Sequence, residues 1–143
     1  MNTFLPYADF AQSAACLDGK RLIKQRLEVF QILGAINGGK GWANHPATRM
    51  WRPTTDALCL YGLAISLECE QRGWYSDLRA RIHQYRKEQD PALVKMPKWL
   101  GMERFHASHR SNLLRKMPGW YSHFGWSEPN DLPYFWPNPE WIA

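Results

Sequence analysis

The chain has 143 residues, a hydrophobic fraction of 45% and a formal net charge of +5, from 18 Lys+Arg against 13 Asp+Glu. That length and apolar content fit one domain, residues 1–143, burying a core of its own, and they exclude global disorder. The basic balance favours an anionic partner, nucleic acid first among them.

In chain order, "MNTFLPYADF" has no basic stretch followed by an apolar run, so no signal peptide is expected. A short apolar helix is predicted over "DFAQSAACL". Asp18 then offers an N-cap for a longer helix from Gly19 to about Ile36, closed by "NGG". Wound at 100° per residue, this helix gathers Leu22, Val29, Phe30, Leu33 and Ile36 on one side, with Arg26 in the middle of them. The segment "NGGKGWANHPATRMWRP" reads as a long loop, and long loops in compact domains tend to carry function. Thr55 to Gln71 is apolar almost all round and is predicted to be a central buried helix. "ALCLYGLAISL" inside it is too short to span a bilayer. A polar helix is expected over "SDLRARIHQYRKEQD" and another over "MERFHASHRSNLLRKM", before an aromatic, proline-rich tail running to Ala143. No stretch shows sustained period-two alternation. An all-α fold follows, of about four or five helices with long ordered loops.

Cys16, Cys59 and Cys69 form no CxxC pair, and the latter two read as reduced packing residues. A soluble cytoplasmic protein with no membrane attachment and no cofactor is the expectation, and a monomer is assumed.

Three clusters could carry chemistry. On the first long helix, Lys20, Lys24 and Glu28 recur every four residues as a solvated stripe would, with Arg21 and Gln25 beside them. Arg26 lies between apolar neighbours. It is either paired with a buried carboxylate or set as a guanidinium at the base of an anion-binding cleft. In the loop, His45 before a proline could act as a general acid–base or could brace the turn. Arg49, Trp51 and Arg52 could stack on a base while holding its phosphate, or could anchor the loop. In "ERFHASHRSNLLRK", His109 has the spacing of a core histidine, while His106, Arg110, Ser111, Arg115 and Lys116 offer donors to phosphate oxygens. His106 and His109 lack a third ligand nearby, so no metal site is expected.

"KQRLEVFQIL", "LECEQRGW" and above all "SHRSNLLRKMPGWYSHFG" resemble the small all-helical pyrimidine-dimer DNA glycosylase/lyases of the phage endonuclease V type. The opening "MNTFLPYADFAQSAACLDGKRLIKQR" is similar to a divergent bacterial and phage subgroup of that family. The resemblance implies a DNA-repair glycosylase and AP lyase, both hydrolase and lyase, acting on damaged or modified duplex DNA. Its nucleophile would be the N-terminal α-amine, which titrates close to neutral pH and so keeps a reactive neutral fraction. The family's threonine, which directly follows the initiator and is implied as catalytic, corresponds here to Thr3; because Asn2 intervenes before it, the amine belongs to Met1 or Asn2. The resemblance also implies an arginine–glutamate pair on the first long helix, where this chain has Lys24 and Gln25. Glu28 is a substitute one turn on. It places Trp120 and Tyr121 with the DNA-binding residues. Two other readings stand beside the enzyme: a DNA-binding module without catalysis, and a different base- or nucleotide-directed enzyme using Arg26 and His45.

Overall fold

The computed structural model describes residues 1–39 and 41–138; the end of the aromatic tail lies outside the described residues. Among the described residues the chain is helical throughout, with no strand. The helices are α1 (Phe10–Cys16), α2 (Gly19–Gly38), α3 (Pro46–Trp51), α4 (Thr55–Gln71), α5 (Leu78–Ile82), α6 (Glu103–Lys116) and α7 (Pro118–Tyr121). Short 3₁₀ turns occupy Trp42–Asn44, Arg52–Thr54, Pro91–Leu93 and Ser122–Phe124. No described helix is long and apolar enough to cross a membrane.

The five expected helices are present, but three details differ. The loop after α2 is not open: Pro46 at a helix start, with the His45 side chain accepting from Ala47 N at 3.0 Å, makes α3. The polar helix shrinks to Leu78–Ile82 because the carboxylate of Asp56 captures the amides of Lys87 (2.8 Å) and Glu88 (3.1 Å), turning the chain back. Asp18 stands at the N-cap position of α2 without capping it. Its carboxylate instead meets the Tyr121 hydroxyl at 2.5 Å and the Arg21 guanidinium at 3.1 Å. The "NGG" closure behaves as expected: Gly39, at φ 65°, takes the left-handed conformation and donates to Ala35 O.

α4 packs against α1 and α2, with α5 across it. It buries Leu58, Tyr61, Ile65 and Cys69 but leaves Leu67 about half exposed, so only one side of this helix is central. Between α2, α4 and α6 runs the extended segment 1–6, with Thr3 and Leu5 wholly buried. An aromatic group closes the core: Trp51 stacks on Tyr61 at 6.0 Å and meets Trp99 edge-on at 4.9 Å, and Trp99 leans on Phe105 at 4.7 Å. Cys16, Cys59 and Cys69 are buried free thiols, and burial pushes Cys16 and Cys59 up to about 12.

The α2–α4–α5 junction depends on Gly62. A Cβ there would lie 2.6 Å from Ile82 Cδ1 and 2.8 Å from Val29 Cγ1. Alanine gains about 1 kcal/mol in helix propensity, whereas overpacking costs about 1–3 kcal/mol, and valine on a helix yields little. Gly62→Ala is therefore expected to lower stability by about 1 kcal/mol in urea unfolding. A raised midpoint would mean that the junction has slack.

Candidate active site

The site begins with an accounting problem. Residues 2–6 are buried yet belong to no helix or sheet, so their backbone N–H and C=O groups need other partners. Side chains supply them. The amide of Asn2 donates to Glu28 Oε2 (3.3 Å), that of Thr3 to Asn2 Oδ1 (2.8 Å) and that of Phe4 to Gln25 Oε1 (3.0 Å). Leu5 N donates to His109 Nδ1 (2.9 Å), while His106 Nδ1 bonds Leu5 O (2.7 Å). Arg110 donates to Pro6 O (2.7 Å), and Ser13 bonds both the N–H and the C=O of Tyr7.

Gln25 is the centre of this arrangement. Its Nε2 donates to Asn2 O (3.1 Å) and Glu28 Oε2 (2.8 Å), and its Oε1 accepts from Phe4 N (3.0 Å) and the Tyr61 hydroxyl (2.9 Å). A primary amide has two donors and two acceptor lone pairs, and here every one faces a partner, the Tyr61 proton being shared with Phe4 O. A carboxylate at this position would lose both donors and face Glu28 and a carbonyl. Gln25 thus holds the N-terminal segment in place. Tyr61, whose single hydroxyl proton lies between Gln25 Oε1 and Phe4 O (2.7 Å), completes the hold, and burial raises its pKa further above the usual tyrosine range.

The two α6 histidines hold Leu5 by its N–H and its C=O, and their partners fix opposite tautomers. His106 carries its proton on Nδ1 and accepts from Gly101 N on Nε2 (2.9 Å); His109 accepts on Nδ1 and so carries its proton on Nε2. Burial lowers both pKa values, that of His109 to about 3. His109 is the core residue its spacing implies, while His106 and Arg110, offered by the sequence to phosphate oxygens, are buried with their polar atoms on Leu5 and Pro6. Arg110 is buried and neutralised by Glu103 and by Glu128 at 2.6 Å. Trp51 is also withdrawn from the surface, fully buried with Nε1 donating to Thr3 Oγ1 (2.9 Å). Tyr121 is buried against Asp18 and stacked on Trp126. Trp120 remains partly exposed, with its indole N–H on Cys16 O (2.8 Å).

The segment's outer end opens into a cleft of about 390 Å³. Its base is Met1, Asn2, Gln25 and Glu28. One wall is cationic: Lys20, Arg21 and Lys24 from α2, with Lys116 from the end of α6. Partial desolvation and the positive charges of Arg21, Arg115 and Lys24 lower the Lys116 pKa, as expected where like charges gather before an anion arrives. The opposite wall is made of His45, Tyr134 and Trp136. Burial, and then the positive N-terminal amine, depress the pKa of His45, so the amine lies close enough to be felt. Because His45 Nδ1 accepts from Ala47 N, its proton is on Nε2, making it a hydrogen-bond donor without a free lone pair for base catalysis.

Arg26 does not join the cleft. It sits half-buried on another face of α2, with Nη1 3.4 Å from Trp74 O and beside Ile23, Phe30 and Arg81. The polar residues that α2 turns inward are Gln25 and Glu28, on the row Leu22–Gln25–Glu28/Val29–Ile32. Arg52 anchors the loop by donating to Ala43 O, and Arg49 is exposed on α3. Arg115 is tied to Asn112 and to Asn130 O. Tyr134 and Trp136 were missed in the sequence. Their only signal was aromatic density near the chain end, which does not reveal which rings reach back to α2.

A family model for pyrimidine dimer DNA glycosylase matches residues 1–82, more than half of the chain. The chain therefore belongs to the pyrimidine dimer DNA glycosylase family. No curated protein and no solved structure matches it. The matched span contains the N-terminal segment, α2 and His45, whereas Lys116, Tyr134 and Trp136 come from beyond it.

Two outcomes follow from these hydrogen bonds. Gln25→Glu, which restores the carboxylate of the resembled enzymes, is expected to destabilise the protein by about 2–4 kcal/mol at pH 7, since it buries a charge against Glu28. Burial raises the introduced carboxyl's folded pKa above its unfolded value near 4.3, so the penalty grows as pH rises from that value and fades toward it. Urea midpoints of both proteins across pH 4.5–7 would expose an error as a gap independent of pH. For His109 the folded pKa lies below the unfolded one, so stability falls as pH drops from about 6.5 toward 3, by up to about 1.4 kcal/mol per pH unit. His109→Asn keeps an acceptor and removes the titration, so its profile should be flatter over that range.

Proposed function

We propose that this protein is a single-domain DNA glycosylase and AP lyase acting on a damaged or modified base in duplex DNA, with its N-terminal amine as nucleophile. The observation that carries this reading is the nitrogen of Asn2, 3.3 Å from Glu28 Oε2 at the base of a cationic cleft. Removal of Met1 would make that nitrogen a primary amine already seated against a carboxylate. With Met1 retained, the amine stands one residue further out, close to His45.

In either form the amine attacks C1′ of the target nucleotide. The glycosidic bond breaks, and the base leaves with the bonding pair and takes up a proton. With Met1 removed, Glu28 is the group placed to accept the amine's proton and return it to the ring oxygen as the sugar opens to the imine. Loss of a C2′ proton then expels the 3′ phosphate. Lys20, Arg21, Lys24 and Lys116 hold phosphates, and Tyr134 and Trp136 offer ring faces to an extruded base.

A DNA-binding module without chemistry is the second reading, favoured by the full commitment of Gln25 to the fold. Borohydride reduction on abasic duplex DNA separates the two. The glycosylase/lyase reading expects a covalent adduct, mapped by mass spectrometry to the N-terminal residue, and a roughly 10²–10⁴-fold slower yield for Glu28→Gln. Steeply salt-dependent binding with no adduct from an unblocked N-terminus would establish the module instead.

A further inference from the structure

The loop after α2 contains two tryptophans, and sequence pattern points to the wrong one. Trp51 is buried in the core, whereas Trp42 is 53% exposed. It opens the short 3₁₀ turn Trp42–Asn44, entered through Gly41 at φ 62° and ψ −115°, a conformation closed to most side-chain-bearing residues. Trp42 sits at the rim of the cleft. Its ring meets His45 edge-on at 5.6 Å, and His45 meets Trp136 edge-on at 5.8 Å, so an aromatic row runs outward along one wall and ends on an indole in solvent. Arg52 holds the turn by donating to Ala43 O, which gives the exposed ring a braced base.

Scattered exposed apolar side chains are ordinary; what sets Trp42 apart is its place in the aromatic row beside the cleft. Drawing a base out of a duplex leaves a gap, and unstacking its neighbours costs a few kcal/mol. We propose that Trp42 stacks into that gap, against the bases flanking the extruded nucleotide, and so keeps the opened duplex over the cleft. This inference rests on the proposed DNA-directed function and adds the residue that pays for opening the stack.

The test uses the full chain and two forms of one sequence: a duplex with an abasic site opposite 2-aminopurine, and the abasic strand alone. The wild-type protein is expected to quench 2-aminopurine on binding, and saturating Trp42→Ala is expected not to. Loss of one base–aromatic stack should weaken duplex binding and slow borohydride trapping on the duplex roughly 5- to 150-fold, with trapping on the single strand unchanged. Trp42→Phe should recover most of both. Quenching by Trp42→Ala equal to wild type, or an equal loss of trapping on duplex and single strand, overturns the assignment. The fluorescence readout needs no chemistry. A wild-type protein that quenches but forms no adduct on either strand form would therefore overturn the lyase reading and leave the stacking assignment standing.

Discussion

The buried N-terminal segment is what the rest of the structure answers to. An extended chain inside a helical protein cannot satisfy its own peptide groups, and each one left unpaired would cost about 1–3 kcal/mol. Gln25, Tyr61, His106, His109 and Arg110 are therefore recruited from three helices to take up these groups. Polar residues that would look misplaced in the core are there because the backbone they serve has no other partner. The same hold brings the chain's first residues to a fixed place beside Glu28, so the site's geometry and the fold's stability share one set of hydrogen bonds.

This sharing separates two kinds of polar residue that look alike in sequence. Lys20, Arg21, Lys24 and Lys116 face the cleft, and no described hydrogen bond ties Lys20, Lys24 or Lys116 into the core. Arg110, His106 and His109 are buried and spent on the fold. Arg21 pairs with Asp18 at 3.1 Å and Lys24 lies 3.9 Å from Glu28, but both keep their place on the cleft wall, unlike a cation enclosed between two carboxylates. Arg110, paired with Glu103 and Glu128, has nothing left to offer.

The helices were readable because α2 and α6 carry amphipathic periodicity, α4 is a long apolar run, and glycine or proline follows each of them. The cleft was readable only in part. Lys20, Arg21, Lys24, Gln25 and Glu28 form one cluster on the first long helix in the sequence, but Lys116 stands in a separate cluster on a later helix, and Arg26, one candidate for the cleft base, does not line the cleft. One helical position, about 100°, separates Gln25 from Arg26, and an apolar row drawn through Leu22 and Phe30 points at Arg26. The buried row runs through Ile32 instead, which rotates the face toward Gln25. Short apolar stretches cannot resolve that angle, because a helix flank accepts Phe30 and Ile36 half-buried.

By itself, then, the sequence determined the helical class, the termini of the main helices and the basic character of the first long helix, since these follow from local periodicity, capping and composition. Only the tertiary structure decided which polar side chains face water and which face the N-terminal backbone, since that depends on partners up to 104 residues away. It also decided that Trp51 is core while Trp42 stands at the rim, and that Tyr134 and Trp136 wall a cleft begun by Met1. Long-range contacts of this kind leave no periodic trace in the chain that makes them.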